Sequence, residues 1–200
     1  MKEFWDERYG AKEYIYGTKP NAFLVAQIEK INPVGKILFP CEGEGRNAIF
    51  AALKGWKVDA FDYSESGKVK ALQLANEHQV MIDYQLADAT LFDFGTEKYD
   101  VVAFIFAHFP ADLREVIHLK AIQSLKKGGH IILEAFNPKQ INNNSGGPKD
   151  VSMLYTEEIL SGDFKALTIL TLTTEQVVLD EGAFHHGIAD VVGMVARKDW

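Results

Sequence analysis

The sequence predicts an α/β protein, a parallel sheet with helices on both faces that ends in an antiparallel hairpin. Three observations carry that expectation. Short apolar runs alternate with amphipathic stretches from Lys36 to Leu133, the pattern of parallel strands joined by crossover helices. A glycine turn, Cys41-Glu42-Gly43-Glu44-Gly45, separates the first apolar run from the helical stretch after it. Beyond residue 136 the alternation stops. Two β-rich segments follow, Leu167 to Leu179 and Ile188 to Ala196, around a connection over residues 180–187, which suits a hairpin.

Each element has a local reason. Pro20-Asn21 opens a helix with Phe23, Leu24, Ile28 and Ile31 on one face, closed by Pro33-Val34-Gly35. Lys36 to Phe39 reads as a buried strand. The helix after the glycine turn carries Ile49 and Leu53 and is capped by Gly55. Lys57 to Phe61 is a second strand ending at Asp62, and Ser64 is the N-cap of a helix through Val69, Leu72 and Ala75. Met81 to Leu86 is a weaker strand and Asp100 to Phe106 a strong one. A helix with Leu113, Val116, Ile117 and Ile122 is expected to end at Gly128-Gly129, before the strand Ile131 to Leu133. Residues 137–150 are polar and rich in turn formers, so no regular structure is expected there, and Thr156 caps a short helix. With no repeat and no linker, residues 1–200 read as one domain, with an N-terminal arm over 1–20 and a possible substrate lid over 137–150.

Composition narrows the function. The 200 residues carry a net charge of −7, against the basic footprint of nucleic-acid binding. The single cysteine, Cys41, excludes an intramolecular disulfide and a multi-cysteine metal site, and no metal site is expected. The N-terminal residues are charged and aromatic rather than apolar, and no run approaches a membrane span. A cytoplasmic protein with a small-molecule partner is expected, and the oligomeric state stays open.

A strand, a glycine turn and a helix place backbone amides around a ligand. Gly43 and Gly45 permit positive φ and close approach, and Asp62 ends the next strand on the same edge, where a carboxylate accepts from both hydroxyls of an adenosine ribose. The turn also fits the dinucleotide pattern G-x-G-x-x-[GA] as Gly43 to Ala48, so an NAD(P)-dependent oxidoreductase is one reading. Three features favour S-adenosylmethionine. Glu42 and Glu44 beside Gly43 suit a cationic ligand better than a pyrophosphate. Asp88, after the third strand, is placed to accept from an adenine amino group. The chain also lacks a second domain for a hydride acceptor.

The chain resembles the class I S-adenosylmethionine-dependent methyltransferases, and within them the small-molecule group of tellurite-resistance and thiopurine methyltransferase-like proteins. Phe4 to Tyr9, Tyr16 to Asn21, Glu42 to Asn47, Asp62-Tyr63-Ser64 and Leu125 to Gly129 carry the resemblance. It implies a Rossmann-like sheet of seven strands with the last antiparallel, Gly43 and Gly45 at the methionine part of the cofactor, Asp62 at the ribose, and Asp88 with Ala89 at the adenine. Glu42, Tyr63 and Phe106 complete the expected cofactor contacts. The chain departs from the family at two places: Phe39 stands for its usual acidic residue, and Cys41 for its first loop glycine. A cofactor-binding regulatory module without transfer activity is therefore a further reading.

Methyl transfer needs alignment more than covalent machinery, and a proton-bearing acceptor needs a base. The acceptor class is a thiol, a chalcogen oxyanion or an amine. His108, after the strong fourth strand, is the candidate base, or else a helix-entry residue. Trp5, Arg8, Tyr9 and Tyr16 form an aromatic arm that either covers the cofactor or packs against the sheet. His185 reaches the substrate if the terminal connection folds inward. Cys41, beside an acid, reads as packing rather than as a nucleophile.

Overall fold

The computed structural model describes residues 2–200. Seven strands form one sheet in the order β3-β2-β1-β4-β5-β7-β6. They are β1 (Lys36–Pro40), β2 (Lys57–Asp62), β3 (Asp83–Leu86), β4 (Tyr99–Ile105), β5 (Leu125–Phe136), β6 (Thr168–Asp180) and β7 (His186–Arg197). The first five are parallel, and β7 runs antiparallel to both β5 and β6. The expected parallel sheet and terminal hairpin are both present.

Period-two alternation divides the core into two layers. Ile37, Phe39, Val101, Ala103 and Ile132 face α2 (Ala22–Ile28), α3 (Arg46–Leu53) and α4 (Glu65–Glu77), whereas Leu38, Val102, Phe104, Ile131 and Leu133 face α5 (Ala111–Ser124) and α6 (Glu157–Asp163). Burial on both faces explains why the central strands β1, β2 and β4 read as continuous apolar runs, whereas the edge strands β3 and β6 are mostly exposed. Phe39, where the family has an acid, is fully buried in the first layer.

Several expectations need correction. The α5 helix stops at Ser124, and Gly128-Gly129 lie within β5 instead of ending the helix. The register slips there, from Tyr99 opposite Leu125 to Val101 opposite His130, and the two glycines make the resulting bulge. In α4 the buried face is Gly67, Ala71, Leu74 and Ala75, while Val69 and Leu72 are exposed. Small residues are buried there because α4 lies close to the glycine turn. Leu53 and Val116 are exposed too. Residues 2–9 form a helix, α1, that the sequence did not announce, and part of 137–150 is a 3-10 helix, Pro138–Asn142.

Strand order reverses between β1 and β4, the place where open α/β sheets bind ligands. Two non-glycine residues with positive φ flank it, Cys41 (φ 55°) after β1 and Phe106 (φ 53°) after β4. Left-handed backbone at such residues costs energy that the surrounding structure must offset.

Candidate active site

A cavity of about 740 Å³ opens at the carboxyl ends of the strands, roofed by α1 and walled by segments 144–149 and 183–185. Its size is that of a ligand pocket. Of the residues expected from the sequence, Glu42, Asp62, Tyr63, Asp88, Ala89, Phe106, His108, Trp5, Arg8, Tyr9, Tyr16 and His185 line it. Gly43 and Gly45 do not.

The two glycines serve the turn itself. A Cβ on Gly45 (φ 91°) would stand 2.7 Å from the Cβ of Ala71, and one on Gly43 (φ 63°) 2.6 Å from the Tyr9 hydroxyl. Gly45 therefore lets α3 meet α4, and Gly43 lies under the arm. Tyr84 fixes the turn by donating its hydroxyl to the Gly43 carbonyl at 2.6 Å. Cys41 adopts the left-handed conformation that a glycine would take without cost, which explains how the turn survives the substitution. Burial, then Asp62 and Asp88, push its thiol well up, so it stays protonated and is no nucleophile.

Glu42 and Glu44 behave differently from one another. Glu42 Oε1 accepts the amides of Asn47 at 2.9 Å and Ala48 at 2.7 Å, so its carboxylate fills the N-terminus of α3, where the helix dipole favours an anion. Burial pushes this carboxyl up to about 7 against the pull of those amides and of Arg46. Glu44, expected beside a cationic ligand, also lines the cavity, and its oxygens are held by internal partners. It ion-pairs with Lys70 at 2.7 Å and accepts the amides of Ile15 at 2.8 Å and Tyr16 at 3.3 Å, fastening the arm to the turn.

Asp62 lines the cavity with acceptor capacity to spare. Its two oxygens each hold one backbone amide, Gly43 at 3.2 Å and Ser64 at 2.9 Å. A carboxylate has about four acceptor positions, so two remain for a pair of hydroxyls. Burial raises it to about 6 against the pull of the Ser64, Gly43 and Tyr63 amides. Asp88 is exposed at the far end, with Oδ1 taken by the amide and hydroxyl of Thr90 and Oδ2 free of partners among the described residues.

His108 requires a correction. Its Nδ1 donates to the Met153 carbonyl at 2.7 Å and its Nε2 accepts the Phe136 amide at 3.2 Å. Both nitrogens are spent, and burial lowers the ring to about 4. It clips β5 to the 151–153 turn and has no lone pair for a substrate proton.

The arm closes the cavity with a chain of rings. Trp5 stacks on Tyr9 at 5.3 Å, and Tyr16 meets His185 at 4.4 Å. Arg8 donates to the Tyr16 hydroxyl at 3.0 Å and lies between Phe4 and Phe184, 4.4 and 4.7 Å from their centroids. The terminal connection does fold inward, and His185 is buried against Tyr16 and Phe106.

Sequence reasoning missed the polar network behind this wall. Arg46 donates to Glu181 at 2.8 Å, Glu181 holds His185 Nδ1 at 3.3 Å, and Asn21 bridges Glu181 and Glu134. The i,i+4 spacing of Glu181 and His185 was the only local hint. Nothing in the sequence linked them to Arg46.

Residues 37–129 match the family model described as "Methyltransferase domain". No curated protein sequence matches the chain, but its fold recurs in solved structures. One, from work on the conversion of a disulfide bond into a thioacetal group during echinomycin biosynthesis, superposes with TM-score 0.82 at 17% identity over 100% of this chain and 92% of that one. The N-methyltransferase NodS from Bradyrhizobium japonicum, in complex with S-adenosyl-L-homocysteine, gives 0.73 at 13% over 100% and 98%. TehB from Haemophilus influenzae gives 0.71 at 18% over 98% of this chain and 66% of that one. The chain therefore has the Rossmann-like fold of the S-adenosylmethionine-dependent methyltransferases, and its residues 37–129 match their methyltransferase domain.

Proposed function

We propose that the protein transfers a methyl group from S-adenosylmethionine to a small soluble acceptor of the cytoplasm, a thiol, a chalcogen oxyanion or an amine, by in-line displacement. Glu42 is the observation that carries the cofactor assignment. A dinucleotide would set its pyrophosphate at the N-terminus of the helix after the turn, and in this chain a carboxylate occupies those amides. Those two amides are already spent on Glu42 and do not face a pyrophosphate.

The bound cofactor supplies an activated methyl group. The chain supplies position: Asp62 for the ribose hydroxyls, Asp88 with Ala89 for the adenine, and Tyr63 and Phe106 as walls. The aromatic chamber beyond, roofed by Trp5, Tyr9 and Tyr16, excludes water and leaves room for a compact acceptor. The segments Phe4 to Tyr9 and Tyr16 to Asn21 support placing the chain in the tellurite-resistance and thiopurine methyltransferase-like group, because they build this roof.

Calorimetric titration with S-adenosylhomocysteine and with NADH tests the reading. Binding of S-adenosylhomocysteine alone is expected, and binding of NADH alone would overturn it. A protein that binds S-adenosylhomocysteine yet methylates no thiol, amine, selenite or tellurite would be a regulatory module instead.

A further inference from the structure

The geometry points to His185 as the proton acceptor for the methyl acceptor, held in the required tautomer by Glu181. The inference rests on methyl transfer being the reaction at this site. Three features lead to it. The Nδ1 atom lies 3.3 Å from Glu181 Oε2, and a carboxylate there calls for the proton on Nδ1, which leaves the lone pair on Nε2. That Nε2 makes no hydrogen bond among the described residues and is not sealed from solvent, on a residue that lines the cavity. The carboxylate is itself immobilised, since Glu181 is buried and tied to Arg46 at 2.8 Å and to Asn21 at 3.2 Å. A base oriented by a third group is the arrangement that general-base catalysis needs.

The surroundings keep the ring neutral. Burial first, then Arg46 and Arg8, hold the imidazole below its usual range against the opposite pull of Glu181. His108 faces it from the end of β4, and Glu134 stands behind Glu181 through Asn21. The rings of Tyr16, Phe106 and Phe136 fix its plane at centroid distances of 4.4, 4.7 and 5.4 Å. His108 shows the contrast within the same cavity, with both nitrogens consumed by the backbone.

In the step, His185 Nε2 takes the proton of an acceptor X–H while the electron pair of X forms the X–CH₃ bond. The pair of the broken methyl–sulfur bond leaves with sulfur. The imidazolium, stabilised by Glu181, then passes its proton to solvent, so one proton is released per methyl transferred.

The decisive measurement is histidine ¹⁵N NMR of the intact wild-type protein, free and with S-adenosylhomocysteine, with His185 assigned from its backbone. The Nδ1–H tautomer is expected in both states, and a His185 protonated on Nε2 near neutral pH overturns the proposal. Calorimetry on the same sample separates the readings: without S-adenosylhomocysteine binding the methyl-transfer assignment falls, whereas binding with the wrong tautomer removes only His185. With an amine acceptor, His185→Gln should slow transfer by about 100-fold or more and leave an acid limb set by the amine alone. With a thiol acceptor above its own pKa it should change the rate less than about 3-fold. Equal slowing of both overturns the base role.

Discussion

Arg46, in the first turn of α3, and Glu181, just after the β6 strand, form a buried ion pair with Nη2 2.8 Å from Oε2. It joins the glycine turn to the terminal connection across 135 positions of sequence. The pair holds His185 in the cavity wall and sets the distance between the two ends of the site.

Arg46→Met should destabilise the protein by about 3–5 kcal/mol, because it strands a buried carboxylate. Urea unfolding measures this. The double variant Arg46→Met with Glu181→Leu should recover part of the loss, and a double variant no better than the single would place the cost in packing.

Gly45→Ala should cost about 2–4 kcal/mol, since its Cβ would meet the backbone of Ala71 at 2.9 Å and its φ is positive. Gly43→Ala shares the positive φ (63°), but its Cβ meets the end of the Tyr9 side chain rather than backbone. It should therefore cost less in stability while raising the proteolytic sensitivity of the arm. Thermal melts and limited trypsinolysis compare the two.

Cys41 tests the turn from the other side. Cys41→Gly relieves the left-handed strain and loses one small side chain, so its net effect should stay within about 1 kcal/mol. Cys41→Val puts a β-branched residue at φ 55° and should cost about 2 kcal/mol or more.

Asp62→Ala should weaken S-adenosylhomocysteine binding by about 1–3 kcal/mol, the value of charge-assisted hydrogen bonds lost. Unchanged affinity by calorimetry would remove Asp62 from the site.

Glu134 makes stability depend on pH. Burial, with Glu181 adding to it, raises its carboxyl from 4.5 to about 7 against the hydrogen bond from Asn21. The folded state thus holds a proton that the unfolded chain has released, and this contribution is complete below pH 4.5 and lost as pH rises through about 7. Glu134→Gln lacks that loss. Its stability relative to wild type should rise by about 1–3 kcal/mol between pH 5 and pH 8, as read by denaturant titration at each pH.

Local pattern carried most of the fold. The central strands were legible because burial on both faces makes them continuous apolar runs, and the Ser64 cap and the final hairpin were legible from turn chemistry. The buried face of α4 was not. Close approach to the glycine turn selects Gly67 and Ala71, which carry little hydrophobic signal, and leaves Val69 and Leu72 outside. The α1 helix was missed for a related reason, as it is held by Asp6 on Ser64 at 2.7 Å and by ring contacts rather than by an apolar stripe.

The site divides along the same line. By itself the sequence determined the sheet, the turn after β1 and the acid that ends β2, because these depend on short-range periodicity and spacing. Only the tertiary structure decided which histidine keeps a free nitrogen. His108 and His185 look alike in sequence, and their hydrogen-bond partners, Met153 and Phe136 for one and Glu181 backed by Arg46 for the other, come mostly from elements far along the chain. Proton-accepting capacity is a property of the surroundings of an imidazole, and those surroundings exist only once the chain has folded.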